Sequence, residues 1–230
     1  MSSDIPALSL FIPFFNEMEA LPVAVAEARE GLAGVDHEIL LVDDGSRDGS
    51  GELADRLAEE HEAVRVIHHP ENRKYGGALT TGFREARGRV VCYSDADLPV
   101  EISAFVEALP LLEDHDLVVG YPTNMQTRLR RQVYTRGYWV LASTLLGLRV
   151  RNINFSFKLL RRELVDRLTL GARTGFVDAQ LLAEARRLDA RVAQVPIEAR
   201  PRRVGVSHFD SIGCAVETGV ELVGWWWNSR

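Results

Sequence analysis

Lysine is almost missing from this chain: Lys74 and Lys158 are the only two among 230 residues, and the remaining positive charge is arginine. Acidic residues number 33 against 27 basic ones, for a net charge of −6. That balance excludes the broadly basic surface with which a nucleic-acid binder displaces phosphate counterions. Any anion site is therefore local, and arginines do cluster, at Arg128, Arg130, Arg131 and Arg136 and again at Arg200, Arg202 and Arg203. A guanidinium fork suits bidentate phosphate binding, although a solvated helix face is the plainer reading of any single one.

Cysteine is equally scarce. Cys92 and Cys214 offer neither a disulfide framework nor metal-ligand spacing, and Cys92 sits in an apolar run that reads as core. No stretch approaches the ~18 uninterrupted apolar residues of a membrane span. The segment MSSDIPALSL lacks the basic region and long apolar stretch of a secretory signal. The expectation is a soluble or peripheral protein, cytoplasmic or held at the cytoplasmic face of a membrane.

What is present is a globular composition, 46% hydrophobic and 26% charged, in a chain long enough to bury a substantial core. One domain over residues 1–230 is expected, with a first half to residue 122 and a second half from 123. Short apolar runs rich in β-branched residues recur at 8–13, 37–44, 64–69, 89–95 and 116–122, and their continuous hydrophobicity predicts strands buried on both faces. Helical periodicity fills 19–32, 51–61, 77–86 and 100–112 between them. This alternation predicts an α/β fold with a parallel, doubly wound sheet. Beyond 122 the alternation stops. Helices are expected at 128–148, 177–188 and 212–227, and strands at 154–160 and 191–197.

In an open α/β sheet the ligand lies beyond the carboxyl ends of the strands. Four consecutive strands here end in polar or acidic stretches, IPFFNE, VDDGSRDGS, HHPENRKYGGA and YSDADLP. Asp95 and Asp97 flank Ala96 just after a buried strand, a spacing at which two carboxylates reach Mg2+ or Mn2+ and leave its other positions to phosphates and water. Asp-x-Asp is also common in plain strand-ending turns. Asp43 and Asp44 close the second strand; one carboxylate suits the imide or amide of a nucleotide base, and the alternative is a turn with Asp48 or Ser50 capping the next helix. Gly76 and Gly77 open a helix, offering close backbone approach and free N–H groups near a phosphate or ribose.

IPFFNE, VDDGSRDGS, NRKYGGALTTGF and SDADLP, in this order between residues 12 and 99, resemble the inverting family-two glycosyltransferases of the GT-A fold. RLRRQVYTRG, NINFSFKLLRREL and PIEARPRRVGVSHF in the second half are similar to stretches of dolichyl-phosphate mannose synthases and related polyprenyl-phosphate glycosyltransferases. The resemblance implies a Rossmann-like GT-A sheet, mostly parallel and flanked by helices, and transfer of a sugar, mannose or glucose, from a nucleotide-diphosphate sugar to a lipid-linked phosphate. It puts Glu17 and Asp43 at nucleoside-contacting positions, with Pro13, Asn16, Asp44, Gly76 and Gly77 around the donor. Asp95, Ala96 and Asp97 fall at the metal and donor-phosphate positions, and Arg131 and Arg202 among the phosphate-binding basic residues. Two departures stand out. Asn152 replaces the usual aspartate, and Ser207-His208 replaces a serine–lysine pair, so a phosphate contact at His208 depends on pH.

A phosphate acceptor is already an anion at neutral pH and needs no general base, so positioning and leaving-group stabilisation suffice. A sugar or small-molecule hydroxyl would need a carboxylate base. Asp178 is the candidate, and its other reading is a first-turn acid favoured by the helix dipole. A non-catalytic nucleotide-binding scaffold is the rival of another class, disfavoured by the intact Asp95 and Asp97. Trp225, Trp226 and Trp227 cannot share one side of a helix, so at least one is expected to be exposed. An exposed tryptophan suits a membrane interface, a membrane subunit or another protein surface.

Overall fold

Strands with apolar side chains on both sides need helices on both sides, and that is how the chain is built. The computed structural model describes residues 5–124, 129–200 and 212–229, and the side chains at 129–134 and 212 lie outside the described set. β1 (Leu8–Phe14) is buried throughout and β2 (His37–Asp43) nearly so. Side chains alternate between the two faces at period two. Leu8, Leu10, Ile12 and Phe14 enter one core with Ile39 and Leu41, while Phe11 enters the other with Leu40 and Val42.

β3 (Val64–His68), β4 (Val90–Tyr93), β5 (Leu117–Pro122), β6 (Lys158–Arg161) and β7 (Val192–Ile197) complete a seven-stranded sheet of order β3-β2-β1-β4-β6-β5-β7. β6 runs antiparallel between β4 and β5, and the other pairings are parallel. α1 (Leu21–Gly31) buries Leu21, Ala24, Val25 and Ala28, the i, i+3, i+4, i+7 stripe of a helix covering a sheet. α2 (Ser50–Glu60) and α4 (Ser103–Ala108) cover the same face; α3 (Lys74–Glu85), α5 (Leu129–Leu146), α7 (Phe176–Arg187) and α8 (Ile212–Asn228) cover the other. The short α6 (Arg162–Val165) follows β6 directly.

Three expectations need correction. The helix expected over 100–112 is a short α4 and then a 3-10 turn, Leu109–Glu113, with Pro110 in its first positions. Pro110 has no N–H for the continuing α ladder, and its ring fixes φ. The strand expected from 154 starts only at Lys158, because Asn152 Oδ1 accepts the N–H of Phe155 and bends the chain first. α3 starts at Lys74, in the left-handed region at φ 64°, rather than at Gly77.

The strand order reverses direction around β1, so chain connections leave to opposite sides there and a crevice opens beyond the carboxyl ends of β1 and β4. β4 ends at Tyr93 opposite Phe11, whereas β1 runs on to Phe14. Pro13, which has no ladder donor, thus lies past the last β4 partner, where the missing N–H is tolerated.

Candidate active site

The chain leaving β4 turns sharply over that crevice. Ser94 donates its N–H back to Phe11 O at 3.2 Å, and Leu98 donates to Asp95 O at 3.0 Å, closing a turn over Asp95–Leu98. Leu98 takes φ 46°, a region that bulky side chains avoid. Burial of its side chain in the core holds it there. Ala96 is likewise buried, and Asp95 and Asp97 are half-buried on either side of it.

Asp95 Oδ1 accepts from the Tyr75 hydroxyl at 3.1 Å, and Ser156 also hydrogen-bonds its carboxylate. Burial, followed by the charge of Asp97, pushes the Asp95 pKa up to about 6 despite those bonds. A second carboxylate near enough to raise the Asp95 pKa makes a pair of oxygen donors that suits a hard divalent cation, whose remaining ligands come from phosphate and water. Three or more His, Cys, Asp or Glu side chains do not converge on one point among the described residues.

Beyond β1, Asn16 adopts φ 56°, a conformation that Asn tolerates better than most residues. Its N–H goes to Ser46 Oγ at 2.9 Å, its Oδ1 accepts from Arg47 N at 2.8 Å, and Glu17 donates its N–H to Ser50 Oγ at 2.9 Å. The β1 and β2 loops are thus clasped together. Asp48 Oδ1 accepts from Ser50 N at 3.0 Å, the turn that leads into α2.

Asp43 and Asp44 are both buried, and each faces a histidine at the end of β3. Asp43 Oδ1 accepts from Ser46 N at 2.9 Å and its Oδ2 lies 2.9 Å from His68 Nδ1, while the other ring nitrogen of His68 lies 2.9 Å from Asp55. Asp44 Oδ1 binds His69 Nδ1 at 2.7 Å and Arg73 N at 2.8 Å, and His69 Nε2 lies 2.9 Å from the Thr81 hydroxyl. Desolvation raises the Asp44 pKa although His69 opposes it. Gly51 makes room for the first of these pairs, since a Cβ there would stand 2.9 Å from Asp43 Oδ2. The turn role expected of Asp43 is therefore present. The two histidines were missed, although Asp43 and His68 are register partners once β2 and β3 are aligned.

Gly76 corrects another expectation. Its N–H is not free for a phosphate: it donates to Arg173 O at 2.9 Å. A Cβ there would stand 2.2 Å from Ala172 O, so the close approach is to the chain's own loop before α7. At Gly77 a Cβ would meet the Arg73 side chain at 2.5 Å.

Asp178 begins α7, as the sequence placed it, but it is buried with Lys158, whose Nζ lies 2.7 Å from Asp178 Oδ1. Tyr93 donates to the same oxygen. Sequence reasoning passed over Lys158 and Tyr93. The signal was there, since a lysine inside the apolar run FSFKLL needs a buried partner. Asn152, at the first departure, uses its side-chain oxygen for the Phe155 N–H, a bond an aspartate also makes. Arg202 and His208 lie outside the described residues, as does the Arg131 side chain, although Arg131 itself is in α5.

α8 lies against α5 and α7. Trp225 packs on Phe176 with ring centroids 5.7 Å apart, under the guanidinium of Arg187, while Trp227 is 73% exposed. At least one outward tryptophan was expected, and Trp227 is it. None of the described helices is long and apolar enough to cross a membrane.

Known proteins resemble the chain in sequence and in fold. The profile of glycosyl transferase family 2 matches residues 9–169. Polyprenol monophosphomannose synthase from Mycolicibacterium smegmatis is 31% identical over 211 residues, which cover 86% of this chain and 79% of that protein. Glycosyltransferase AglD from Haloferax volcanii is 28% identical over 232 residues, covering 96% of this chain, which spans only 37% of AglD. Glucosyl-3-phosphoglycerate synthase from Mycobacterium tuberculosis, crystallised with Mn2+, UDP-glucose and phosphoglyceric acid, superposes with a TM-score of 0.72 at 23% identity, covering 96% of this chain and 80% of that one. At that identity the superposition speaks for the fold. The profile takes in every strand that borders the crevice and both of its carboxylates, and on that ground the chain belongs to glycosyl transferase family 2, with the GT-A fold.

Proposed function

We propose that this chain transfers a hexose, mannose or glucose, from a nucleotide-diphosphate sugar to a polyprenyl phosphate. The observation that carries the reading is the turn of Asp95 and Asp97 over the β1/β4 crevice, in a chain whose relative is named a polyprenol monophosphomannose synthase. Asp95 and Asp97 would hold Mg2+ or Mn2+, which when bound neutralises charge on the departing diphosphate. Glu17 and Asp43 would contact the nucleoside, with Pro13 and Asn16 beside them and Asp44 fixing the adjoining loop. Arg131, Arg202 and His208 are the proposed phosphate contacts from the second half.

The acceptor oxygen is anionic and attacks without a base, so the protein's own work is to align it behind the anomeric carbon and exclude water. Burial of Asp178 against Lys158 supports this choice, because a base for a hydroxyl acceptor must reach that hydroxyl. A hydroxyl acceptor is the second reading, favoured only by the glycerate bound in the structural neighbour.

α8 supports contact with a membrane surface. Glu221 turns inward to the backbone of Arg173 and Thr174, and the exposed Glu217 is neutralised by Lys74 at 2.6 Å. Val216, Val220, Val223 and Trp227, all exposed, form a stripe at helical spacing on the outside. Tryptophan prefers the headgroup region of a bilayer, the place from which a lipid-linked phosphate is reached. We place the enzyme at the cytoplasmic face.

A donor screen tests the function. Diphosphate release from GDP- and UDP-sugars should require both Mn2+ or Mg2+ and a polyprenyl phosphate. Release that follows a soluble hydroxyl acceptor instead would overturn the lipid reading.

A further inference from the structure

Strand β6 and helix α7 reach the Asp95 carboxylate through a line of buried polar groups. Lys158 Nζ has three protons and three acceptors: Asp178 Oδ1 at 2.7 Å, Phe155 O at 2.9 Å and the Tyr93 hydroxyl at 3.0 Å. Lys158 and Tyr93 are wholly buried and Asp178 is nearly so. Tyr93 donates to Asp178, and its oxygen is within hydrogen-bonding reach of the Tyr75 hydroxyl. The Tyr75 hydroxyl has one proton, shared between the Tyr93 oxygen and Asp95 Oδ1 at 3.1 Å. Its ring is partly exposed, but burial of the hydroxyl end raises its pKa well above the ordinary phenol value.

A buried ion pair is weak support for stability, because well-packed apolar residues of equal volume commonly do as well. This one instead adjoins a functional carboxylate through the two tyrosine hydroxyls, and buried polar networks of this kind rigidify what they touch. We infer that Tyr75 is a positioning residue that orients the Asp95 carboxylate, and that Lys158, Asp178 and Tyr93 are the internal anchor that fixes Tyr75. The inference rests on the reading of Asp95 and Asp97 as holders of a divalent cation.

Direct Mn2+ titration by electron paramagnetic resonance, on the full chain with GDP or UDP present, tests it without reference to turnover. Tyr75→Phe keeps the ring and removes one hydroxyl. It should melt with the wild type, bind metal-free nucleotide equally well, and bind Mn2+ on the order of tenfold more weakly. A Lys158→Met, Asp178→Leu double variant, which removes both charges at once, should weaken Mn2+ binding to a similar degree. Wild-type protein that binds no Mn2+ overturns the metal reading and this inference together. If the wild type binds Mn2+ and Tyr75→Phe binds it equally well, the inference alone is overturned. Wild-type Mn2+ affinity in a folded double variant removes the anchor.

Discussion

His68 stands in register with Asp43 across the β2–β3 ladder, and its imidazole bridges that carboxylate to Asp55. Burial opposes charge on the ring, but hydrogen bonds to the two carboxylates outweigh it and raise the pKa. For a histidine so raised, the stabilisation is complete below the unfolded value of about 6.5 and is lost as the pH rises through the folded value. His68→Asn should therefore lower stability more at pH of about 6 than at about 9, by at most about 1 kcal/mol, because the ring is 41% exposed. Urea unfolding of both proteins at the two pH values checks this. An equal loss at both would show that the bridge carries no charge.

Asp97→Ala should leave the fold intact and abolish turnover, because a half-buried side chain on a turn contributes little to packing. Thermal melting measures the first part. Diphosphate release with Mn2+, with Mg2+ and with EDTA measures the second, and full wild-type activity in EDTA would sink the metal assignment.

Asp43→Ala removes the acceptor of Ser46 N and of His68. Donor binding should weaken by about 1.5 to 3 kcal/mol, the worth of a hydrogen bond to a charged group. Calorimetric titration of GDP and UDP into both proteins checks it. Unchanged affinity alongside a lowered melting temperature would confine Asp43 to its turn.

Gly76→Ala forces a methyl into the Ala172–Arg173 backbone, which has no flexible side chain there to yield. A loss of about 1 to 3 kcal/mol in chemical unfolding is expected, the range for an overpacked site. A neutral result would mean that the loop before α7 moves freely away from α3.

The α8 stripe is tested without disturbing the core by Val216→Ser, Val220→Ser and Trp227→Ser together, since all three side chains are exposed. The wild type should co-sediment with anionic vesicles at low salt, and the triple variant should stay in the supernatant with an unchanged melt. Co-sedimentation of both proteins would place the contact elsewhere.

Much of the fold was legible because buried strands and amphipathic helices leave different periods in the sequence, and β1, β2 and α1 fall where those periods put them. The antiparallel entry of β6 between β4 and β5 left no such mark. Strand direction is decided by partners far away in the chain. The site divides likewise. Asp95 and Asp97 were legible as acids at a strand end, whereas the groups that hold them and their neighbours were not. Tyr75 is 20 residues from Asp95, His68 is 25 from Asp43, and Lys158 is 65 from Tyr93. No local pattern encodes those meetings.

Glu221 grips the N–H groups of Arg173 at 2.7 Å and Thr174 at 3.0 Å, and the same loop receives the N–H of Gly76 before it enters α7 and Asp178. One glutamate therefore ties the outward-facing helix to the wall of the catalytic crevice. A surface that bound α8 would act, through Glu221 and through Trp225 against Phe176, on the element that carries Asp178. If α8 docks as proposed, docking and site order would be two readouts of one linkage, like a latch whose handle is on the outside of the door.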